Sequence, residues 1–297
     1  MRDEFPAGAA PDGAVVGKSI LPGTSNFPGL GQATLLTLAT LSVVAFAEIV
    51  FVGVSKALDW DLSIWSEMAG SNVLGFGLVL FWGCRRVGAP LREVLRFEAF
   101  PAGILLPVLL LVLGSSIVLS EMDNLIRVVL PMPPWILEIF MEMIGGGWPS
   151  LVALVVVAPL TEELLFRGLI LRGLIAQRGV WSGVLYSSLL FGIMHLNPWQ
   201  FVSAFLIGMV LGWLFVLSRS LVPCILLHAV FNALTMVVGG YAESFGFSIP
   251  GYTGEPSVVP VFQPLVFDLL GIVLVVVSLA WMSRIFASRS RRAWSGD

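Results

Sequence analysis

Charge is what this 297-residue chain has least of: Asp, Glu, Lys and Arg make up 12% of it, against roughly 25% in soluble globular domains. With 57% hydrophobic residues and a mean hydropathy of +0.95, water is excluded as its main solvent. A net charge of −3 provides no basic surface, which excludes nucleic acid as a partner. The two cysteines, Cys84 and Cys224, lie in or beside apolar stretches and read as unpaired packing residues rather than a disulfide. The first 30 residues lack the apolar core of a signal peptide and are rich in Gly, Pro and Ser, so they read as a flexible tail. Neither the inverted repeat of a transporter nor the His-Glu-x-x-His helix of the commonest zinc peptidases is present.

What the chain does have is apolar runs. Eight stand out, at about 33–54, 64–84, 101–120, 148–170, 181–197, 199–217, 221–239 and 263–284. Most match the ~20 residues a helix needs to cross a ~30 Å hydrocarbon core; the fifth is short. The expected fold is therefore all-α, a polytopic transmembrane bundle of about eight spans. Residues 31–285 would form one membrane-embedded domain, with a flexible tail at 1–30 and a basic cytoplasmic tail at 286–297. Residues 132–147 carry apolar residues at helical spacing with Glu138 and Glu142 on another face, the pattern of an interfacial helix. If both termini are cytoplasmic, 14 of the 16 Lys and Arg residues fall inside and only Lys56 and Arg127 outside. That bias fits an even number of spans in a cell membrane.

Ionisable groups at membrane depth cost about 2.5–3.5 kcal/mol each even on the lenient insertion scale, so those present need a reason. Glu48, Glu67 and Asp268 are scattered singles, explained by helix-packing hydrogen bonds or nearness to the interface. The stretch 158–232 differs, because it holds both histidines of the chain and an adjacent acid pair. Pro159 removes a backbone donor just before Glu162 and Glu163, loosening the helix there. Neighbouring helical residues point ~100° apart, so the two acids serve different tasks. Glu163 and Arg167, at i and i+4 with the acid first, suit an ion pair. Glu162 is left without a countercharge, suited to taking and returning a proton. Folding the chain back at Gly179 sets Glu162 beside His195 on antiparallel helices. His228 and Asn232, at i and i+4, share one helix face and can both donate to an oxyanion.

Glu-Glu-x-x-x-Arg at 162–167, Phe-x-x-x-His at 191–195 and His-x-x-x-Asn at 228–232, in that order, resemble the CAAX-protease and bacteriocin-processing family, also called CPBP or Abi. The resemblance covers about 148–240, the motif core. It implies a metal-independent, cofactor-free intramembrane peptidase acting on a membrane-associated peptide or protein substrate within the lipid bilayer. Glu162 would activate water with help from His195, His228 and Asn232 would hold the oxyanion, and Glu163, Arg167 and Phe191 would support them. Two other readings stand beside it: a zinc peptidase ligated by the two histidines and one of the glutamates, and a non-enzymatic transporter or scaffold using buried Glu and His. Glu162 and His195 lie about 24 Å from the turn at Gly179, and His228 about 12 Å from that near Ser220. Projection of the 163–194 hairpin past the membrane surface reconciles them and sets the site in the cytoplasmic half.

Overall fold

A computed structural model describes residues 26–88, 90–253 and 259–295. The tail expected at the N-terminus, including Arg2 and Lys18, lies almost wholly outside the described residues.

Each of the eight apolar runs forms a helix. α1 is Leu30–Ala57, α2 is Ile64–Val87, and α3 is Leu105–Val129, preceded by a 3-10 turn at Ala102–Ile104. The amphipathic stretch becomes α4, Pro134–Gly145, opened by a proline whose missing N–H costs nothing in a first turn. α5 runs continuously over Gly147–Arg178, α6 is Val180–Met194, α7 is Pro198–Ser218, α8 is Val222–Gly240 and α9 is Leu265–Ser295. Residues 286–295, read from sequence as a tail, continue α9. Seven of these helices are long and apolar enough to cross a membrane. The other two are α4, with 12 residues, and α6, whose 15 residues reach about 22 Å at 1.5 Å per residue. The protein is an all-helical, multi-pass membrane protein.

The helices are joined at close approaches. Glu48 accepts a hydrogen bond from Ser71, and Glu67 one from Ser55, forming two polar rungs between α1 and α2. These are the helix-packing bonds that such isolated acids need in lipid. Gly114 on α3 faces Gly271 on α9 so closely that a Cβ there would lie 2.7 Å from the Gly271 carbonyl oxygen and 2.9 Å from the Val275 nitrogen. Gly179, at φ +80°, makes the turn between α5 and α6. Cys84 and Cys224 are both free and buried.

This chain order gives the bundle two unlike ends. One carries Arg85, Arg86, Arg92, Arg96, Arg178 and Arg219; the other carries Asp59, Asp61, Glu121, Asp123, Glu138 and Glu142. The Gly114 contact generates a stability test. Gly114→Ala should destabilise the protein by about 1–3 kcal/mol, because two backbones must part. Gly77→Ala, with nothing within 4 Å of the new methyl, should be neutral or stabilising by up to ~1 kcal/mol. Thermal melting of the purified variants in detergent distinguishes the two.

Candidate active site

The site is built around a distorted stretch of α5. Pro159 has no N–H to give and its ring crowds the carbonyl one turn earlier. α5 responds with two π-helical segments, Val152–Val157 and Leu164–Ile170, on either side of a normal turn at Ala158–Glu163 that bears both acids. The widened turns present carbonyls to other helices. The Leu154 carbonyl accepts from Asn232 Nδ2 at 2.8 Å, and the Phe166 carbonyl from Ser187 Oγ at 3.3 Å.

Glu163 is fully buried and Arg167 is 1% exposed. Arg167 Nη1 meets Glu163 Oε1 at 2.8 Å, Nη2 donates to the Gly208 carbonyl of α7 at 3.1 Å, and the guanidinium lies 4.6 Å above the Phe191 ring. One planar cation thus joins α5, α6 and α7. Sequence alone did not reveal Gly208. A Cβ there would come within 3.1 Å of Ser188 Cβ and 3.3 Å of Phe191 Cδ1, so glycine lets α7 approach α6 closely without crowding.

Both histidines touch the Phe191 ring edge to face, His195 at 5.1 Å and His228 at 5.7 Å between centroids. Phe166 packs on the same ring at 5.2 Å. His195 Nδ1 lies 2.9 Å from the Phe191 carbonyl oxygen. Since a carbonyl only accepts, Nδ1 carries the proton, and in the neutral ring Nε2 is left as an acceptor. His228 Nδ1 lies 3.0 Å from Glu163 Oε1, a carboxylate already paired with Arg167, so this Nδ1 also donates. His228 Nε2 then faces Glu162 Oε2 at 3.9 Å. The ring within this reach of Glu162 is thus His228 from α8, while the hairpin register had singled out His195. That register still holds along α5 and α6: Ile175 lies against Gly183, and Phe166 against Phe191.

Glu162 Oε2 is buried and accepts no hydrogen bond from the protein. Glu163 Oε2 and Arg167 Nε also lack a hydrogen bond, but those groups neutralise each other at 2.8 Å. Glu162 has no such cation. Its partner across the gap is a histidine nitrogen.

Arg167 and Arg172 count from sequence among the cations of the cytoplasmic side; both are buried within the helix bundle, Arg172 donating to the Glu93 carbonyl. The Leu221 N–H bonds the Arg96 carbonyl at 2.7 Å, so Arg172 and the start of α8 meet the same connecting loop. The last turns of α5 continue beyond it, where Gly173 packs on the Phe27–Pro28 backbone. That extension lets Glu163, 16 residues before Gly179, meet His228, 8 residues after Ser220.

Beyond Asn232 lies a cavity of about 560 Å³. Its walls come from the ends of α3 and α8, the start of α7, one face of α4 and the connection after α8, with Leu154 and Asn232 at the α5 side. Tyr252 in that connection bonds Ser116 at 3.1 Å; burial, partly offset by this bond, raises its phenol above the usual range. Among the described residues no three His, Cys, Asp or Glu side chains are grouped to hold a metal ion. The two site carboxylates meet opposite nitrogens of one ring, so they do not converge on a point.

Fold and site define a polytopic helical membrane protein with an acid–histidine centre inside the bundle. Residues 144–234, 91 of 297, match the family model described as Type II CAAX prenyl endopeptidase Rce1-like; over this segment the chain is similar to the CAAX-type proteases, a match that marks it as a peptide hydrolase. The matched segment contains the acid pair, both histidines and Asn232. No curated protein matches the chain, and no solved structure does.

Leaving a buried charge unpaired typically costs about 3–5 kcal/mol. Arg167→Met should therefore destabilise the protein by that amount. The double variant Glu163→Gln/Arg167→Met should melt higher than Arg167→Met alone, since it leaves no orphaned carboxylate.

Proposed function

We propose that the protein is an intramembrane endopeptidase of the cell membrane, hydrolysing a peptide bond of a membrane-associated peptide or protein with a water activated by Glu162. The observation that carries this reading is the buried Oε2 of Glu162, which has no protein hydrogen bond and stands 3.9 Å from His228 Nε2. A buried acceptor without a partner is costly, and a water or substrate group bound beside it removes the cost.

Glu162 takes a proton from water as the oxygen adds to the peptide carbonyl carbon. His195, anchored through Nδ1, offers the lone pair of Nε2 to orient the water. The oxyanion receives a hydrogen bond from Asn232, whose amide has a second N–H beyond the one given to Leu154. His228 donates the other through Nε2 when protonated, while its Nδ1 stays on Glu163. Collapse of the tetrahedral intermediate breaks the C–N bond, and the proton held by Glu162 passes to the leaving amine. Glu163, Arg167 and Phe191 fix the rings and touch no reacting atom. A prenylated tail, as in the name of the matched family, is one substrate of the right kind.

Glu162→Gln should keep the fold and abolish cleavage. Asn232→Ala should retain weak activity, about 10²–10³ lower in kcat. Comparing membrane-peptide products from cells carrying wild-type protein or Glu162→Gln reads the first outcome and yields the substrate for the second. Products that persist in Glu162→Gln remove Glu162 from the mechanism. Activity of the purified protein should also survive prolonged chelation; loss restored by stoichiometric zinc would favour the metallopeptidase reading.

A further inference from the structure

We propose that Glu121, Gln263 and Asp268, at the acidic end of the seam between α3 and α9, form a binding site for a divalent cation of the calcium type. It shares no residue with the acid–histidine centre.

Asp268 is the acid that helix packing leaves unexplained. Glu48 and Glu67 each accept from a serine across α1 and α2, whereas Asp268 Oδ1 is buried and accepts no hydrogen bond. The register of α3 against α9 brings a second carboxylate to it. A Cβ on Gly271 would lie 2.9 Å from Ile117 Cβ, and one on Gly114 would lie 2.9 Å from the Val275 nitrogen, so the two helices run antiparallel. Glu121, one turn beyond Ile117, is therefore level with Asp268, one turn before Gly271. The two acids are close enough for their charges to oppose each other. Among the described residues neither is within salt-bridge distance of a Lys or Arg.

A third oxygen comes from the connection that leads into α9. Gln263 is 6% exposed; its backbone N–H donates to Glu121 Oε2 at 3.0 Å and its Nε2 to the Ile117 carbonyl at 3.2 Å. A helical carbonyl points along the axis toward the residue four further on, so the Gln263 amide lies over the turn that ends at Glu121. With Nε2 committed to Ile117, Oε1 is left buried without a donor. Asn124 Nδ2 also donates to Glu121 Oε2, at 3.0 Å, which leaves Glu121 Oε1 as a further open acceptor.

This corner thus has acceptors and no donor to share among them. Each buried acceptor without a partner is costly, and one cation set among the three side chains satisfies them together. Two carboxylates and an amide carbonyl are hard oxygen ligands, the kind that calcium and magnesium prefer. Magnesium demands a near-octahedral frame, which two helices and an irregular connection do not supply. Calcium accepts irregular shells of about six to eight oxygens, water completing what the protein leaves open. Three ligating side chains suit the weak end of calcium affinities, a Kd of about 10⁻⁴–10⁻³ M. The bound ion would tie the start of α9 and the connection before it to α3.

Thermal melting of the purified full-length protein in detergent tests the site. The protein is stripped with EDTA and then given calcium chloride to about 10 mM, roughly tenfold above that Kd range, with potassium chloride at equal ionic strength as control. Calcium should raise Tm by about 2–5 °C and potassium should not. Asp268→Asn and Gln263→Met should each lose the rise, while Asp59→Asn/Asp61→Asn, which removes two acids elsewhere at the same end, should keep it. A rise that persists in both site variants, or that vanishes in the Asp59/Asp61 variant, overturns the site. So does wild-type melting indifferent to calcium, the result expected if Asp268 instead carries a proton. Should the site variants fail to fold, equilibrium dialysis of the wild-type protein with radioactive calcium decides: a single saturable ion per chain is expected, and no saturable binding overturns the proposal.

Discussion

The buried pair between Glu163 and Arg167 is the contact on which the rest of the site depends. Neither charge survives burial alone, and together they still expose hydrogen-bonding capacity that neighbouring helices must meet. Arg167 meets it by holding the Gly208 carbonyl and resting on Phe191; Glu163 meets it by accepting from His228. Four helices are thereby joined through two side chains. The face of Phe191 takes up what remains, setting the angles of both histidine rings.

This arrangement divides labour between adjacent acids. Glu163 is spent on structure, its charge matched and its oxygen shared with a ring. Glu162, turned about 100° away on the same helix, has no cation and an unpartnered buried oxygen. The His228 imidazole lies between the two, orienting on one and facing the other. In the proposed peptidase this separates a positioning carboxylate from a reacting one, so that only Glu162 exchanges protons.

The short α6 has a comparable influence on the whole bundle. Stopping after 15 residues, it leaves a turn within the protein and a recess beyond it, which α4 and the connection after α8 partly cover. The amphipathic stretch before α5 thus does more than lie at an interface. Phe140 and Met143 form a wall of the space that leads to Asn232.

Much of this was legible in the residues. Apolar run length located eight helices, because backbone polar groups in lipid leave no alternative, and i,i+4 spacing gave the Glu163–Arg167 pair and the shared face of His228 and Asn232. The α5–α6 hairpin register followed from the turn signal at Gly179, and the loosening of α5 from the missing N–H of Pro159. Tertiary structure alone decided what crosses between helices. Arg167 and Arg172, counted from sequence only as cations of the cytoplasmic side, are buried where the carbonyls of Gly208 and Glu93 accept from them. His228 rather than His195 comes within 3.9 Å of Glu162, since α5 extends past the start of α8 by an amount that no local pattern encodes. Periodicity is a property of one helix and can be read along it; depth and partner choice belong to pairs of helices and are fixed only when they pack.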